Sequence, residues 1–388
     1  MKSIYIIFLF LFFSCQLWEK SEKKTANVIH KKINSDNCLE INLSEHFTKP
    51  KILPLETNEL VLIGNPSKIQ FHGNKIFILD NARQIIWIFN KLDGKYLNKI
   101  ERIGAGPGEY SFLKDFWITP EGNLVIYDKA QSKLIYFNEH ADYINQQRIN
   151  FYFQSGMALE NNLFALYSAS DNSHLSKSLR HNILIYNKIK NEIVDFGSYN
   201  HFEPNSFILH KNLTYADNYK KILCSVSFND TLYEVTSEGV NPLFYIDFNK
   251  KIKEEHQKSK LTYEDIFNVY KADGANYNIK NLSKIANGIY FEFGSMKEGL
   301  VRNMKAIVLN NQEEGFCIKK LYDDYNGMNV VNFIGNHEDE IVYLINPREI
   351  KRVFGSTIKG EIKQLIDTHG ENANPFLYFL NVNEEKSF

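Results

Sequence analysis

The sequence has no excess of either charge. Its 388 residues contain 45 Lys and Arg against 46 Asp and Glu, which gives a formal net charge of −1. Such a balance creates no overall field that would attract nucleic acid, and no basic stripe with interleaved aromatic residues is present. We therefore expect no nucleic-acid partner.

Recognisable catalytic motifs are also missing. The sequence contains no HExxH, no Gly-x-Ser-x-Gly, and no Gly-Lys-Ser/Thr after a glycine-rich loop. Its eleven histidines are scattered along the chain. These absences leave no reaction to assign and favour a binding module over an enzyme.

Cysteine is scarce, with four residues and neither a CxxC pair nor a Cys/His cluster. This pattern argues against a zinc site or a dense disulfide framework. Apart from Cys15, which is discussed below, the cysteines are Cys38, Cys224 and Cys317. One long-range disulfide is compatible with three such residues, and the sequence leaves its partners open.

The N-terminus, "MKSIYIIFLFLFFSC", has one lysine and then an apolar run from Ile4 to Phe13. Ten helical residues cover about 15 Å, half of a bilayer core. Residues 1–14 are therefore predicted to be a secretory signal peptide.

Ser14-Cys15 resembles a bacterial lipoprotein cleavage site, although Phe12 and Phe13 replace the usual leucine and small residue. The resemblance implies that Cys15 carries acyl chains and anchors the protein to a membrane. Residues 15–38 are polar and aperiodic and are predicted to be a tether. The expected location is the cell envelope, on the periplasmic or the outer surface.

What the sequence has in abundance is strand-forming residues, with 29 Phe and 22 Tyr. Two stretches are similar: "HGNKIFILDNARQIIWIFN" at 72–90 and "EGNLVIYDKAQSKLIYFN" at 121–138. Each opens with Gly-Asn, continues with alternating apolar residues to an aspartate, and ends in Phe-Asn. Asp80 and Asp128 lie 48 residues apart, and a strand-rich repeat of that length is typical of propeller blades.

Both units read as four strands joined by turn-forming residues. The first has Lys68–Phe71, Lys75–Leu79, Ile85–Phe89 and Tyr96–Ile100, and the second has Lys114–Ile118, Leu124–Tyr127, Lys133–Phe137 and Tyr143–Ile149. Looser copies follow, of which "KKILCSVSFNDTLYEV", "NGIYFEFGS" and "DEIVYLINP" are examples. Two inserts, "LTYEDIFNVYK" and "PREIKRVFGSTIKGEIKQLID", have helical spacing, with Thr262 as a candidate N-cap of the first.

We predict an all-β, six-bladed β-propeller over residues 39–382 with short helical insertions, followed by a tail at 383–388. Leu60–Ile63 precedes the first complete unit and is predicted to be the outermost strand of a blade whose inner strands come from the C-terminus. Pairing the two chain ends in one sheet would close the ring and remove exposed edges.

The segment "GAGPGE" at 104–109 contains three glycines but does not fit a phosphate loop. Pro107 lacks the N–H that such a loop needs, and the residues that follow predict a strand and not a helix. We interpret the segment as a crossover between blades, with glycine allowing a positive φ.

The stretch "GAGPGEYSFLKDFWITPEGNLVIYDKAQSKLIYFN" resembles an NHL-type propeller repeat. The chain from about 40 to 382 is similar to the six-bladed β-propeller lipoproteins of Bacteroidetes, also through "ILPLETNELVLIGNPSKIQFHGNKIFILD" and "NANPFLYFLNV". The resemblance implies a lipid-anchored module that binds an envelope protein or a small ligand. The alternative is a metal-dependent hydrolase or lyase with its site at the central channel.

Candidate site residues follow from the topology of a four-stranded meander, in which the crossovers and the turns between second and third strands share one face. The candidate binding residues on this face are Asp80, Arg83, Glu109, Tyr110, Asp128, Lys129 and Asp230. An aspartate that ends a strand also commonly caps its own turn, which is the competing interpretation of Asp80 and Asp128.

No cofactor is predicted. The alternative implies Ca²⁺ or another divalent ion on oxygen ligands in the channel.

Overall fold

A computed structural model describes residues 28–168, 172, 181–199, 213–253, 263–297 and 300–386. The predicted signal peptide and Cys15 lie outside these residues. The described chain forms six separate sheets, arranged as the blades of a propeller. The predicted fold class is confirmed.

The elements follow one another along the chain as in a repeated meander. The N-terminal segment contains β1 (Ile29–Ile33), β2 (Leu39–Asn42), helix α1 (Leu43–His46) and β3 (Lys51–Pro54). Blade one contains β4 (Pro66–His72), β5 (Lys75–Asp80), β6 (Ile85–Asn90) and β7 (Tyr96–Ile100). Blade two contains β8 (Leu113–Ile118), β9 (Leu124–Asp128), β10 (Lys133–Phe137) and β11 (Tyr143–Arg148).

Later blades repeat the pattern with longer strands and inserted helices. Blade three contains β12 (Ser155–Ala158), β13 (Leu163–Tyr167), β14 (His181–Asn187) and β15 (Glu192–Tyr199). Blade four contains β16 (Leu213–Asp217), β17 (Lys221–Ser225), β18 (Thr231–Thr236) and β19 (Gly239–Phe248), and is followed by helix α2 (Tyr263–Asp273). Blade five contains β20 (Asn276–Ile285), β21 (Gly288–Lys297), β22 (Leu300–Leu309) and β23 (Phe316–Asp323), with the short β24 (Met328–Asn329) beside β23. Blade six contains β25 (Phe333–His337), β26 (Glu340–Ile345), helices α3 (Pro347–Phe354) and α4 (Gly360–His369), and β27 (Phe376–Leu380).

Both predicted helical inserts are helices. Helix α3 begins where the sequence signals expect, because Pro347 occupies the first turn and the Asn346 side chain accepts a hydrogen bond from the backbone N–H of Glu349. The second insert is divided into α3 and α4 at Gly355. Thr262, the candidate N-cap of α2, lies outside the described residues.

Each blade is apolar on both faces, as strand β5 illustrates. Successive side chains of a strand point to opposite faces. Ile76 and Ile78 pack in the cluster shared with blade six, whereas Phe77 and Leu79 pack in the cluster shared with blade two. A continuous apolar run therefore requires a neighbouring sheet on each side.

Six large hydrophobic clusters meet this requirement, one at each junction between adjacent blades. The junction between blades six and one joins residues of β26 and β27 to residues of β4, β5 and β6. The ring is therefore closed by the same apolar packing that holds consecutive blades together.

The strand that closes the ring is β3 and not Leu60–Ile63. Strand β3 pairs antiparallel with β27, with Leu53 opposite Leu377, so the predicted union of the chain ends is confirmed and the predicted strand is wrong. Leu60–Ile63 lies in the crossover 55–65 into blade one, where the Asn374 side chain donates to the carbonyl of Val61 and accepts from the N–H of Ile63. The crossover 101–112 between blades one and two has nearly the same length as the crossover 55–65. Since an outermost strand directly precedes such a crossover, the similar lengths indicate a closing strand that ends before residue 55.

The N-terminal segment 29–54, here called the N-terminal belt, runs along three successive blades. Strands β1 and β2 add parallel to the outer strands of blades four and five, and β3 completes blade six. The predicted boundary of the tether at residue 38 is therefore wrong, because the chain enters the fold at Ile29. Lys31 is 1% exposed, and its ammonium donates to the carbonyls of Leu309, Asn310 and Gln312 at 2.6, 3.0 and 2.6 Å.

A disulfide joins the belt to blade five. Cys38, directly before β2, is bonded to Cys317 in β23 across a sequence separation of 279 residues. Cys224 is free and buried, and burial raises the pKa of its thiol, which keeps it unreactive. The bridge that the sequence left open is thus Cys38–Cys317.

Replacement of Cys38 and Cys317 by alanine is expected to lower the free energy of unfolding by about 2–5 kcal/mol, because the bridge closes a very long loop in the unfolded chain. Guanidinium titrations of the two proteins, with and without reductant, measure the effect. Reductant should bring the wild type to the midpoint of the variant and leave the variant unchanged. Equal midpoints for both proteins under both conditions would contradict the assignment.

Candidate functional site

The two repeat aspartates lie at the predicted turns and serve as structural acceptors there. Asp80 is fully buried, and its carboxylate accepts from the backbone N–H groups of Gly64, Asn65 and Ala82 at 2.6, 3.0 and 3.1 Å. Asp128 is equally buried and accepts from Ser111 at 2.8 Å and from Gln131 at 3.1 Å. Each carboxylate therefore ties an incoming crossover to a turn of its own blade.

The other candidate residues near these turns each have a separate environment and do not form one site. Tyr110 is fully buried and its hydroxyl donates to the carbonyl of Gln84 at 2.6 Å, while burial raises its pKa to about 12. The Glu109 carboxylate accepts from the N–H of Gly106 at 2.8 Å inside its own loop, which contains Gly108 at φ +75°. Arg83 is exposed and Lys129 is partly buried. The crossover interpretation of "GAGPGE" fits this loop, which leads into strand β8.

Asp230 differs from the other candidates in its environment. It lies in the turn between β17 and β18, partly buried. Burial raises the pKa of its carboxyl to about 7, the Lys251 ammonium opposes this shift and the Asp247 carboxylate reinforces it. Asp247 and Lys251 form an ion pair with each other. Asp230 is not among the residues that line the two chambers of the central channel.

The central channel is lined by the inner strands, which are β4, β8, β12, β16, β20 and β25. Five of the six contain a register shift: β4, β8, β16, β20 and β25. Bulges commonly redirect side chains beside functional sites. Lys68 and Asp115 each directly follow such a shift, and both face the channel.

We call the upper face the one that carries the blade crossovers and the turns between second and third strands, and the lower face the opposite one. The channel holds two chambers that share Ile69, Gln70, Met157 and Asn336. The upper chamber has a volume of about 290 Å³. Its polar lining includes Lys68, Asp115, Gln154, Ser155, Thr214 and Asn281. All six inner strands contribute to this chamber.

A buried ion pair organises the upper chamber. The Lys68 ammonium lies 2.8 Å from both carboxylate oxygens of Asp115 and donates to the carbonyl of Gly156 at 3.0 Å. The N–H of Gly156 donates to Asp115 at 2.7 Å, so blades one, two and three are joined at the axis. Burial lowers the pKa of Lys68, and the Asp115 carboxylate opposes that shift.

The lower chamber has a volume of about 380 Å³ and a more aromatic lining. His72 Nδ1 lies 2.8 Å from the hydroxyl of Tyr219, and the rings of Tyr215 and Tyr219 are 5.2 Å apart. Elsewhere in the lining, the Lys91 ammonium lies 3.3 Å from Nε2 of His337. The lining of the lower chamber thus comes from turns and strand ends at the lower face.

These channel residues were missed by the sequence analysis. A usable signal existed in "PSKIQF", where Lys68 and Gln70 alternate with apolar residues in a strand that the repeat marks as innermost. No signal identified Asp115 as the partner of Lys68, because the bulge before it changes which side chains face the axis. In the described parts of the chain, no group of three or more His, Cys, Asp or Glu residues is placed to hold a metal ion, and no helix there is long and apolar enough to cross a membrane.

Asp230 gives a prediction for the pH dependence of stability. Its carboxyl titrates at about 7 in the folded protein against 3.8 for the ordinary group, so the folded state binds a proton more tightly. The protonated carboxyl contributes its full stabilisation to the folded state below pH 3.8, and this contribution is lost as the pH rises through about 7. Asp230→Asn should therefore stabilise the protein above that pH and have little effect in acid, as measured by denaturant unfolding. Equal effects of the substitution on both sides of this range would contradict the assignment.

Two of the solved structures that share this fold come from Bacteroides species. A Bacteroides fragilis protein designated as exported superposes with a TM-score of 0.74 at 19% identity, covering 92% of this chain and 100% of its own. A member of the DUF4221 family from Bacteroides vulgatus superposes with a TM-score of 0.50 at 12% identity, covering 87% and 97%. At these identities the likeness shows the fold alone. No curated protein matches the chain significantly.

The family model described as "Domain of unknown function (DUF4934)" matches residues 23–381, which include all six blades and the whole N-terminal belt. The chain belongs to the DUF4934 family.

Proposed function

We propose that the protein is a lipid-anchored binding module of the cell envelope that holds a small polar ligand in its central channel. The observation that carries the proposal is the pair of connected chambers, lined by polar groups from all six blades. Ligand sites are typically concave, with a few convergent polar groups among apolar ones. The repeat aspartates are bound by backbone donors, so the channel replaces the upper-face turns as the candidate site.

Two polar atoms in the channel support a role in binding. The amide nitrogen of Gln70 is buried and has no hydrogen-bond partner among the described residues, while its oxygen accepts from the N–H of Ile118 at 2.9 Å. The hydroxyl of Ser155 is likewise buried without a partner in the described chain. Unpaired buried donors cost free energy, which a ligand or bound water that accepts their hydrogen bonds would recover.

The envelope location is supported by three observations. The signal-like N-terminus ends in Ser14-Cys15, and the structurally similar Bacteroides fragilis protein is designated as exported. The Cys38–Cys317 bridge is also a feature of proteins from oxidising compartments. Strand β1 runs parallel to β19, which rises from the lower face to the upper face, so Ile29 is the end of β1 nearer to the lower face. The anchor would then lie on the lower side of the ring, leaving the upper face with its long crossovers turned away from the membrane.

The anchor is tested by membrane fractionation of the wild type and Cys15→Ala. We expect the wild type in the membrane fraction and the variant in the soluble fraction, because acyl chains on Cys15 supply the binding energy. Cys224→Ala serves as the matched control and should remain with the membrane. Recovery of Cys15→Ala in the membrane fraction at the level of the wild type would contradict the anchor.

The channel is tested by equilibrium dialysis of the full chain against a panel of sugars, carboxylates, amino acids and phosphates. We expect one class to bind with one ligand per chain, and we expect Met157→Trp to abolish binding by filling the neck between the chambers. Leu97→Trp places the same ring at an exposed position of β7 and should bind like the wild type.

Thr214→Val removes, with little change in volume, the hydroxyl that donates to the side chain of Asn336, a residue of both chambers. This change should weaken binding even if Met157→Trp does not fold. Binding that is unchanged in folded Met157→Trp and in Thr214→Val would contradict the channel as the site, as would the absence of binding by any compound of the panel.

A further inference from the structure

The lower chamber contains two residues in a backbone conformation that they rarely adopt. In the turns between first and second strands, Gly73 and Gly122 have φ values of +53° and +85°, and Asn162 has +61°. The same kind of turn in blades four and six holds Tyr219 at φ +60° and Glu338 at φ +53°. Glycine and asparagine suit this left-handed region, whereas a bulky side chain there is strained.

Stability alone would favour glycine or asparagine at position 219. Residues held in such strained conformations cluster at ligand sites, where the side chain is retained for its function. The ring of Tyr219 forms part of the chamber wall beside Tyr215 and His72, so the retained group is an aromatic surface.

The aromatic side of the chamber is uncharged. Burial raises the pKa of Tyr219 to about 12, so its hydroxyl remains a neutral phenol. Burial also lowers the pKa of His72, which favours the neutral imidazole. The hydrogen bond between these two groups fixes the orientation of the Tyr219 ring without introducing a charge.

The rest of the lining offers donors and acceptors in balance. Lys91 and Glu338 are its charged residues, one of each sign, and the amides come from Gln70, Asn218 and Asn336. An anionic ligand would meet Glu338 and a cationic ligand would meet Lys91. Hydroxyl groups both donate and accept, so a neutral polyhydroxylated ligand matches both kinds of partner.

We propose that the lower chamber is a saccharide-binding site in which Tyr219 and His72 form the stacking wall and Lys91, Glu338 and the amides bind hydroxyl groups. This inference rests on the proposed function, since it names the ligand class and the chamber of the same channel. The volume of about 380 Å³ lies in the range of small-molecule sites. The exposed Asn218 and Glu338 leave the mouth open, so that one sugar unit of a longer chain can enter from the lower face.

The test is isothermal titration calorimetry of the full chain, in a detergent without sugar groups, with glucose, galactose and N-acetylglucosamine. Citrate and arginine are the anionic and cationic controls. We expect at least one sugar to bind and both controls to give no heat of binding. Tyr219→Asn keeps a residue suited to the left-handed turn but removes the ring, and should weaken sugar binding about tenfold or more, which is about 1.4 kcal/mol.

Thermal unfolding separates a binding role of Tyr219 from a structural one. If the ring serves the ligand, Tyr219→Asn keeps or raises the melting temperature because the strain is relieved. Asn162→Gly, the matched change in blade three, should leave sugar affinity unchanged. Glu338→Gln keeps the shape of its side chain and should weaken binding by a smaller factor.

Three results would overturn the inference. Sugar affinity equal to the wild type in folded Tyr219→Asn would show that the ring is not part of the site. Binding of citrate or arginine in place of every sugar would remove the saccharide class, and the channel proposal would stand if Met157→Trp abolished that binding. Absence of binding by all five compounds would also overturn the saccharide inference, while the wider dialysis panel would still decide the channel proposal.

Discussion

Sheets that are apolar on both faces dictate this architecture. A strand such as β5 buries alternate side chains in two different clusters, so a blade cannot be stable with only one neighbour. At about 25 cal/mol per Å² of buried apolar surface, leaving one face of a blade in water would cost a large part of the stability of a domain. A closed ring gives every blade two neighbours, and six junction clusters accomplish this.

Ring closure also creates the channel. Six inner strands pass beside one axis, and their inward side chains line the two chambers there. The bulges in these strands redirect polar side chains toward the axis, and the Lys68–Asp115 pair joins three blades across it. Breaking such a buried pair costs more than its formation gains, so it fixes the arrangement of the blades more than it stabilises them. The strained turn at Tyr219 adds an aromatic wall at the lower end.

The blades were predictable because their signal is local. The Gly-Asn turn, the apolar alternation and the terminal aspartate recur within 48 residues, and each feature has a direct backbone cause. The closing strand was misplaced because Lys51–Pro54 is only four residues long and Leu60–Ile63 offered a similar apolar run. The sequence predicts the belt strand Ile29–Ile33 as part of the tether because "IHKKI" is polar. Its Lys31 can be buried because the ammonium donates to backbone carbonyls that are nearly 280 residues away in the sequence, and no local pattern reveals such partners. The channel could not be read from spacing, since its residues come from six distant strands whose bulges alter the side-chain alternation.

The N-terminal belt runs along blades four and five to the strand that closes the ring. The hydrogen bonds of Lys31 and the Cys38–Cys317 bridge hold this part of the chain in place before β3 begins. Native-state hydrogen exchange tests this account most directly. If β3 closes the ring, its amides should exchange only with global unfolding, at the same free energy as the amides of β27 and of blade one. Exchange of the β3 amides through a separate low-energy opening, with the six blades still protected, would contradict closure by this strand.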